Sequence, residues 1–92
     1  MLDDLAPDAQ AWADSILKAH PELTESGRVL VIEAARERQT IALADAAVRE
    51  TGILVEGLHG MKANPAIAVA KNARAALLRI LISLALVEEG DD

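Results

Sequence analysis

The feature that most constrains this chain is a stretch without proline that runs from residue 22 to residue 64. Thr24 is a suitable N-cap near its start, and Glu25 in the first turn favours the helix dipole. The pair Thr51-Gly52 is typical of a helix C-terminus. The sequence therefore predicts one helix from about Glu25 to about Glu50, much longer than the usual ~11–12 residues.

Apolar residues recur on two neighbouring sides of this predicted helix. A repeat of 3.6 residues per turn arranges them in two adjacent stripes. Two stripes indicate two packing neighbours rather than one, and the alanines among them allow helices to approach closely. The stripes are Leu30, Ala34, Ile41 and Val48, and beside them Val31, Ala35, Ala42 and Ala46.

Two further helices are predicted, one on each side of the long one. Pro7 suits a first helical turn, apolar residues follow at helical spacing, and His20-Pro21 ends the pattern. These signals predict a helix near residues 7–19. Asn64-Pro65 has the form of an N-cap followed by a first-turn proline, which predicts a third helix from Pro65 to about Leu84.

The segment between the two long helices has a different character. Ile53-Leu54-Val55 is a short apolar run with a β-branched residue at each end, and Gly57 and Gly60 indicate a turn after it. We therefore predict an all-α fold with a short N-terminal helix and two long antiparallel helices, joined by a short extended turn or a small hairpin. Residues 1–87 are expected to form a single helical domain, and residues 88–92 a disordered acidic tail.

Composition excludes some folds and indicates self-association. Hydrophobic residues make up 52% of the 92 residues, with one Trp and neither Phe nor Tyr. Ala and Leu favour helices, so a β-sandwich is excluded. Roughly two-thirds of the circumference of the third helix is apolar, more than one small domain can bury. We expect copies to associate through Leu30, Ile41, Val48, Leu77, Leu78, Leu81 and Ile82.

The charge is unevenly distributed along the chain. The formal net charge is −6, but residues 26–79 hold eight Lys and Arg residues against five Asp and Glu residues, a balance of +3. In a monomer these cations are most simply explained as solubilising charges. In a ring each of them is repeated once per subunit, which can create a positive belt for nucleic acid. The candidates are Arg36, Arg38, Lys62, Lys71, Arg74 and Arg79.

Catalysis finds little support in the sequence. His20 and His59 are 39 positions apart and have no metal-ligand spacing, and the chain has no cysteine. No phosphate-binding loop of the Walker type is present, and Gly57-x-x-Gly60 is more simply a turn. We therefore predict no catalytic residue, no cofactor, no metal and no enzymatic activity.

The sequence also predicts a soluble protein without a membrane partner. The N-terminal residues Leu2-Asp3-Asp4-Leu5 are acidic where a signal peptide would be basic. The longest apolar stretch, residues 75–87, is too short to cross a bilayer and contains Arg79 and Ser83. A cytoplasmic location is expected.

Four runs of residues carry a family resemblance through their order and spacing. The family pattern is a long helix, a Thr-Gly pair followed by hydrophobic residues, a glycine turn, an Asn-Pro cap and a final helix that ends in Leu-Gly-Leu. Over about residues 5–87 the chain resembles the small subunit of phage terminases. The runs are Leu23–Arg28, Glu50–Gly57, Gly60–Ile67 and Asn72–Arg79.

The resemblance implies a non-catalytic DNA-packaging component in the cytoplasm of a bacterial host cell. Such subunits form homo-oligomeric rings, recognise viral double-stranded DNA and regulate the terminase large subunit. Two departures from the pattern are informative. Leu84-Ala85-Leu86 replaces Leu-Gly-Leu, so the last helical turn is expected to continue, and the basic, proline-containing extensions of the family are absent.

A second class of function fits the same residues. The chain can be a small helical oligomer that acts as an interaction or regulatory protein without DNA contact, its acidic tail binding a basic partner. The steep salt dependence of DNA binding separates the two classes.

Overall fold

The computed structural model describes residues 4–85, which form three helices and one small sheet. The predicted helical character is confirmed, and each helix ends within about one residue of its expected bounds. The fold is not purely all-α, because the connection between the long helices, predicted as a short extended turn or a small hairpin, is a two-stranded antiparallel sheet. The expected tail, residues 88–92, lies outside the described residues. The elements are α1 (Pro7–Ala19), α2 (Glu25–Thr51), β1 (Leu54–Gly57), β2 (Gly60–Ala63) and α3 (Pro65–Ser83).

Local hydrogen bonds explain where the long helices begin. The Thr24 hydroxyl accepts a hydrogen bond from the backbone N–H of Gly27 at 3.2 Å. The Asn64 side chain accepts one from the N–H of Ala66 at 3.0 Å. Each bond satisfies a donor that the first helical turn leaves without a partner. Both N-caps lie where the sequence predicts them.

The hairpin reverses the chain over two residues, Leu58 and His59. Leu54 pairs with Ala63 at its base and Gly57 with Gly60 at its tip. Gly60 has a φ of 114°, a conformation that other residues rarely adopt. Among the described residues β1 and β2 pair only with each other, so both outer edges of the hairpin lack a neighbouring strand.

The three helices pack with α2 in the centre. Residues of α1 and of the first half of α2 form the main buried cluster, and Leu84, just after α3, packs against it. At the other end, Asn64 before α3 hydrogen-bonds to Thr51 at the end of α2. The chain therefore returns along α2 in α3, and the two long helices are antiparallel.

The second apolar stripe of α2 is covered along only part of its length. Val31 and Ala35 are fully buried against α1. Ala42 and Ala46 lie further along the same stripe and are exposed, because α1 begins beside this part of α2 and leaves an open cleft next to Ala42.

The interior is built mostly from small side chains. Seven of the ten buried hydrophobic residues in the described part of the chain are alanines, and the largest fully buried side chain is that of Val31. The Cα radius of gyration is 16.0 Å, against about 12 Å for a compact domain of this length. The fold is elongated and its core is thin.

The end of α3 differs from the prediction. The helix does not continue through Leu84 and Ala85, because Ala85 adopts the left-handed conformation with a φ of 58°. Its N–H donates to the carbonyl of Ile82 at 2.9 Å, which closes the last turn. An alanine thus occupies a backbone conformation that favours glycine, at a cost of about 1–2 kcal/mol.

Candidate subunit and nucleic-acid interfaces

Large apolar side chains are exposed in two main places. One is the hairpin, where Leu58 is 93% exposed at the tip and Ile53, Leu54 and Met61 are more than half exposed. The other is the outer face of α3. Scattered single residues of this kind are common on protein surfaces, whereas grouped ones indicate an interaction surface. The exposed members on α3 and elsewhere on the helices are Ile67, Leu78, Ile82, Val69, Val29 and Leu43.

The residues predicted to form the subunit interface fall into two groups. Leu78 and Ile82 are 53% and 46% exposed and lie on the outer face of α3. The other five are half-buried. Helical spacing places those five on the sides of α2 and α3 that face each other, so much of their apolar surface is already used within the chain. They are Leu30, Ile41, Val48, Leu77 and Leu81.

Two of the predicted DNA-binding arginines are engaged near α1. Arg36 pairs with Asp4 at 2.9 Å and with Glu33 at 3.3 Å, and its side chain is 34% exposed. Arg38 lies over the indole ring of Trp12, 4.7 Å from the ring centroid. Packing of α1 and the residues before it against α2 therefore gives Arg36 and Arg38 the partners Asp4 and Trp12, which the linear sequence does not show.

Arg74 crosses from α3 to α2. Its Nη2 donates to a carboxylate oxygen of Asp45 at 2.6 Å. The pair lies in an open groove of about 290 Å³ between the two helices, which Arg49, Val48 and Ile67 also line. The sequence prediction did not include Arg49. The available signal was its spacing of four from Asp45, which places both residues on the same side of α2.

The remaining predicted cations project into solvent. Lys71 and Arg79 are exposed on α3, and Lys62 is exposed on β2, where its aliphatic stem lies beside Gly57. Within residues 4–85 none of these three lysines and arginines forms an ion pair. Their charges are available to an anionic partner.

Helical spacing places predicted DNA-binding cations and predicted subunit-interface residues on the same side of α3. Ile67, Lys71, Arg74, Leu78 and Ile82 follow one another at spacings of three and four residues, so they form a single stripe on the side of α3 that borders the groove to α2, which we call the outer stripe. Its first half carries the cations and its second half the apolar side chains. Lys71 and Leu78 are about 10 Å apart along the helix axis, so the two halves can serve different partners.

The two histidines lie apart from this stripe. The ring of His20 is hydrogen-bonded to the Glu22 carboxylate at 3.1 Å. Glu22 is exposed, and the pKa of its carboxyl group is lowered mainly by a hydrogen bond from the backbone N–H of Glu22 and further by this contact with His20. His59 is exposed in the hairpin turn. In residues 4–85 no three His, Asp or Glu side chains are grouped so that they could hold a metal ion.

None of the helices within residues 4–85 is both long enough and apolar enough to cross a membrane. Comparison of the chain with protein-family models, with curated proteins and with solved structures finds no match in any of the three.

Proposed function

We propose that this protein is a non-catalytic subunit that assembles into a homo-oligomeric ring and binds double-stranded DNA, as its resemblance to phage terminase small subunits implies. In that role it recognises viral DNA and regulates the terminase large subunit. The observation that carries the proposal is that small side chains fill the core while large apolar side chains are exposed, the reverse of the usual arrangement. Alanines fill the core, while leucines, isoleucines and methionine are exposed.

Association of subunits gains free energy because it removes these exposed apolar side chains from water. Burying one exposed Leu or Ile contributes about 1.5–3 kcal/mol. Leu78 and Ile82 lie one turn apart on the second half of the outer stripe of α3, so one neighbouring subunit can cover both. A ring brings every copy of this apolar patch against another subunit.

The DNA-binding surface in this proposal is the basic groove, which we define as Arg49, Lys71 and Arg74. Arg49 and Arg74 line the same groove, and Lys71 precedes Arg74 by one helical turn on the outer face. The three cations outnumber the one carboxylate, Asp45. A single groove is a weak site for phosphate, but a ring presents one groove per subunit, and the contributions of phosphate contacts accumulate.

The second candidate function, an oligomeric interaction protein without DNA binding, has its own support. Arg36 and Arg74 are neutralised by carboxylates within the chain. The net charge of −6 opposes binding to a polyanion. In that case the apolar surface still drives association, but the partner is another protein.

Two measurements test the proposal. Native mass spectrometry of the wild-type chain is expected to show one large oligomer of defined stoichiometry. Filter binding to duplex DNA over a salt series is expected to show weak, steeply salt-dependent affinity. Arg49→Ala and Lys71→Ala are each expected to reduce the salt slope by about 0.9 for every subunit that contacts a phosphate, with no change in oligomer mass.

Lys18→Ala is the matched control, since it removes one exposed cation from α1 and leaves the basic groove intact. A monomer in native mass spectrometry contradicts the proposed ring. An oligomer that binds DNA no better than a charge-matched helical protein favours the second candidate function. Equal losses from Lys18→Ala and Lys71→Ala show that binding does not use the basic groove.

A further inference from the structure

The hairpin has little support from the rest of its own chain. Two-stranded hairpins are marginally stable in water unless a third element covers them. Leu54 and Met61 are more than half exposed on the hairpin, and Leu58 at the tip is almost completely so. Its base is held by the N–H of Asn64, which donates to the carbonyl of Ile53 at 2.7 Å.

An apolar cleft lies between the start of α1 and the middle of α2. Its volume is about 280 Å³, and its apolar lining comes from Ala6, Ala9, Ala42 and Leu43. One wall carries Asp8 on α1, and the opposite wall carries Arg38 on α2. Arg38 is held in place by the Trp12 ring beneath it. The 93% exposure of Leu58 shows that the chain's own hairpin does not fill this cleft.

We infer that the hairpin tip of one copy inserts into the α1–α2 cleft of a second copy of this chain, with Leu58 as the buried side chain. The inference rests on the self-association in the proposed function and identifies where subunits meet. It adds a contact to the apolar half of the α3 stripe and assigns Arg38 and Lys62 to the subunit interface rather than to DNA.

The charges on the two surfaces are complementary. The register pairs Glu56 with Met61 and Val55 with Lys62. Paired residues share a face of an antiparallel sheet and adjacent residues alternate, so Glu56 and Lys62 lie on opposite faces of the hairpin. Insertion in one orientation places Glu56 against Arg38 and Lys62 against Asp8. The reverse orientation makes two like-charge contacts, which are repulsive.

This contact joins two different surfaces of the same molecule. Such a heterologous interface leaves a free tip on one copy and a free cleft on the next, so it adds copies until the rotation between them closes a ring, and it gives an open filament where the rotation does not close. The hairpin and the cleft therefore account together for a ring, whereas an isologous contact through one patch ends at a dimer.

Cysteine cross-linking tests the contact directly, because the chain has no native cysteine. A Leu58→Cys, Ala42→Cys double variant is expected to give, on oxidation, a ladder of covalently linked chains that extends beyond the dimer. A Leu58→Cys, Val69→Cys variant is the control, since Val69 is 47% exposed on α3 and does not line the cleft. Each single-cysteine variant is expected to yield no species beyond the dimer.

Charge exchange provides a second test in the intact protein. Glu56→Arg and Arg38→Glu are each expected to weaken association about tenfold, and the double variant to recover most of that loss. Loss of the Trp12 contact alone cannot produce this recovery, because the double variant lacks that contact too.

The outcomes separate this inference from the proposed function. An oligomer that gives no ladder, or one that links Val69→Cys as readily as Ala42→Cys, assigns the cleft to another occupant and overturns the inference while the ring stands. A failure of the double charge variant to recover also overturns it. A wild-type chain that is monomeric in native mass spectrometry contradicts both.

Discussion

The buried side chain of Asn64 joins the end of α2 to the start of α3. Its Nδ2 donates to the Thr51 hydroxyl and to the Gly52 carbonyl, both at 2.8 Å. Its Oδ1 accepts the N–H of Ala66 in the first turn of α3. One side chain therefore caps α3 and holds the two ends of the connection together, with the hairpin extending between them.

Replacement of Asn64 is expected to separate these two roles. Asn64→Ala removes the cap and both donated hydrogen bonds, so we expect it to lower the free energy of unfolding by about 2–3 kcal/mol. Asn64→Ser keeps a capping oxygen and is expected to lose about 1 kcal/mol less. Urea denaturation at one fixed protein concentration measures both. Equal losses in the two variants would show that the cap contributes nothing.

Ala85→Gly is expected to stabilise the protein. Ala85 has a φ of 58°, which glycine adopts without a steric penalty. We expect a gain of about 1 kcal/mol, measured by thermal or urea denaturation. Ala75→Gly provides the contrast, because Ala75 is exposed in the interior of α3. The same substitution there is expected to cost about 1 kcal/mol. A loss of stability in both variants would show that the backbone of Ala85 is not strained.

The apolar half of the α3 stripe is expected to control assembly. Leu78→Glu combined with Ile82→Glu introduces two carboxylates into the proposed subunit contact, so we expect a shift to small species in light scattering. Both side chains are about half exposed, so the fold of each chain can tolerate the change. Leu81→Glu is a poorer test, because Leu81 is half-buried and the substitution also disturbs the packing between α2 and α3.

Val69→Glu is the control for that experiment. Val69 is 47% exposed, close to the value for Ile82, but it lies on a different side of α3 from the outer stripe. Its substitution is expected to leave the oligomer mass unchanged. If the double variant Leu78→Glu, Ile82→Glu keeps the wild-type oligomer mass and its helical circular dichroism, Leu78 and Ile82 are not part of the subunit contact.

The helix ends could be predicted from the chain because the interactions that create them are local. Thr24 and Asn64 bond to backbone groups two or three residues away. Proline and glycine act on their own backbone dihedral angles. Ala85 is the exception, since it takes up a conformation for which its side chain is poorly suited. Local preference is weak there, and packing of Leu84 against the core accompanies the early helix end.

The candidate site was only partly predictable. Residue type alone marked Lys71 and Arg79 as cations, and both are exposed. It could not show that Arg36 meets Asp4, 32 positions earlier in the chain, because that pair exists only when α1 packs against α2. Arg49 enters the candidate site for the same reason, since the groove it lines forms between α2 and α3.

The order of residues along the chain dictated the three helices, the residues at which they begin and the excess of apolar side chains, because capping, periodicity and side-chain chemistry act over a few residues. Packing decided which of those side chains stay outside. Alanines at the helix contacts bring α2 and α3 close together, and the larger Leu78 and Ile82 remain on the outer face. Pairing also selected a hairpin over a plain turn, because cross-strand hydrogen bonds depend on register between two segments.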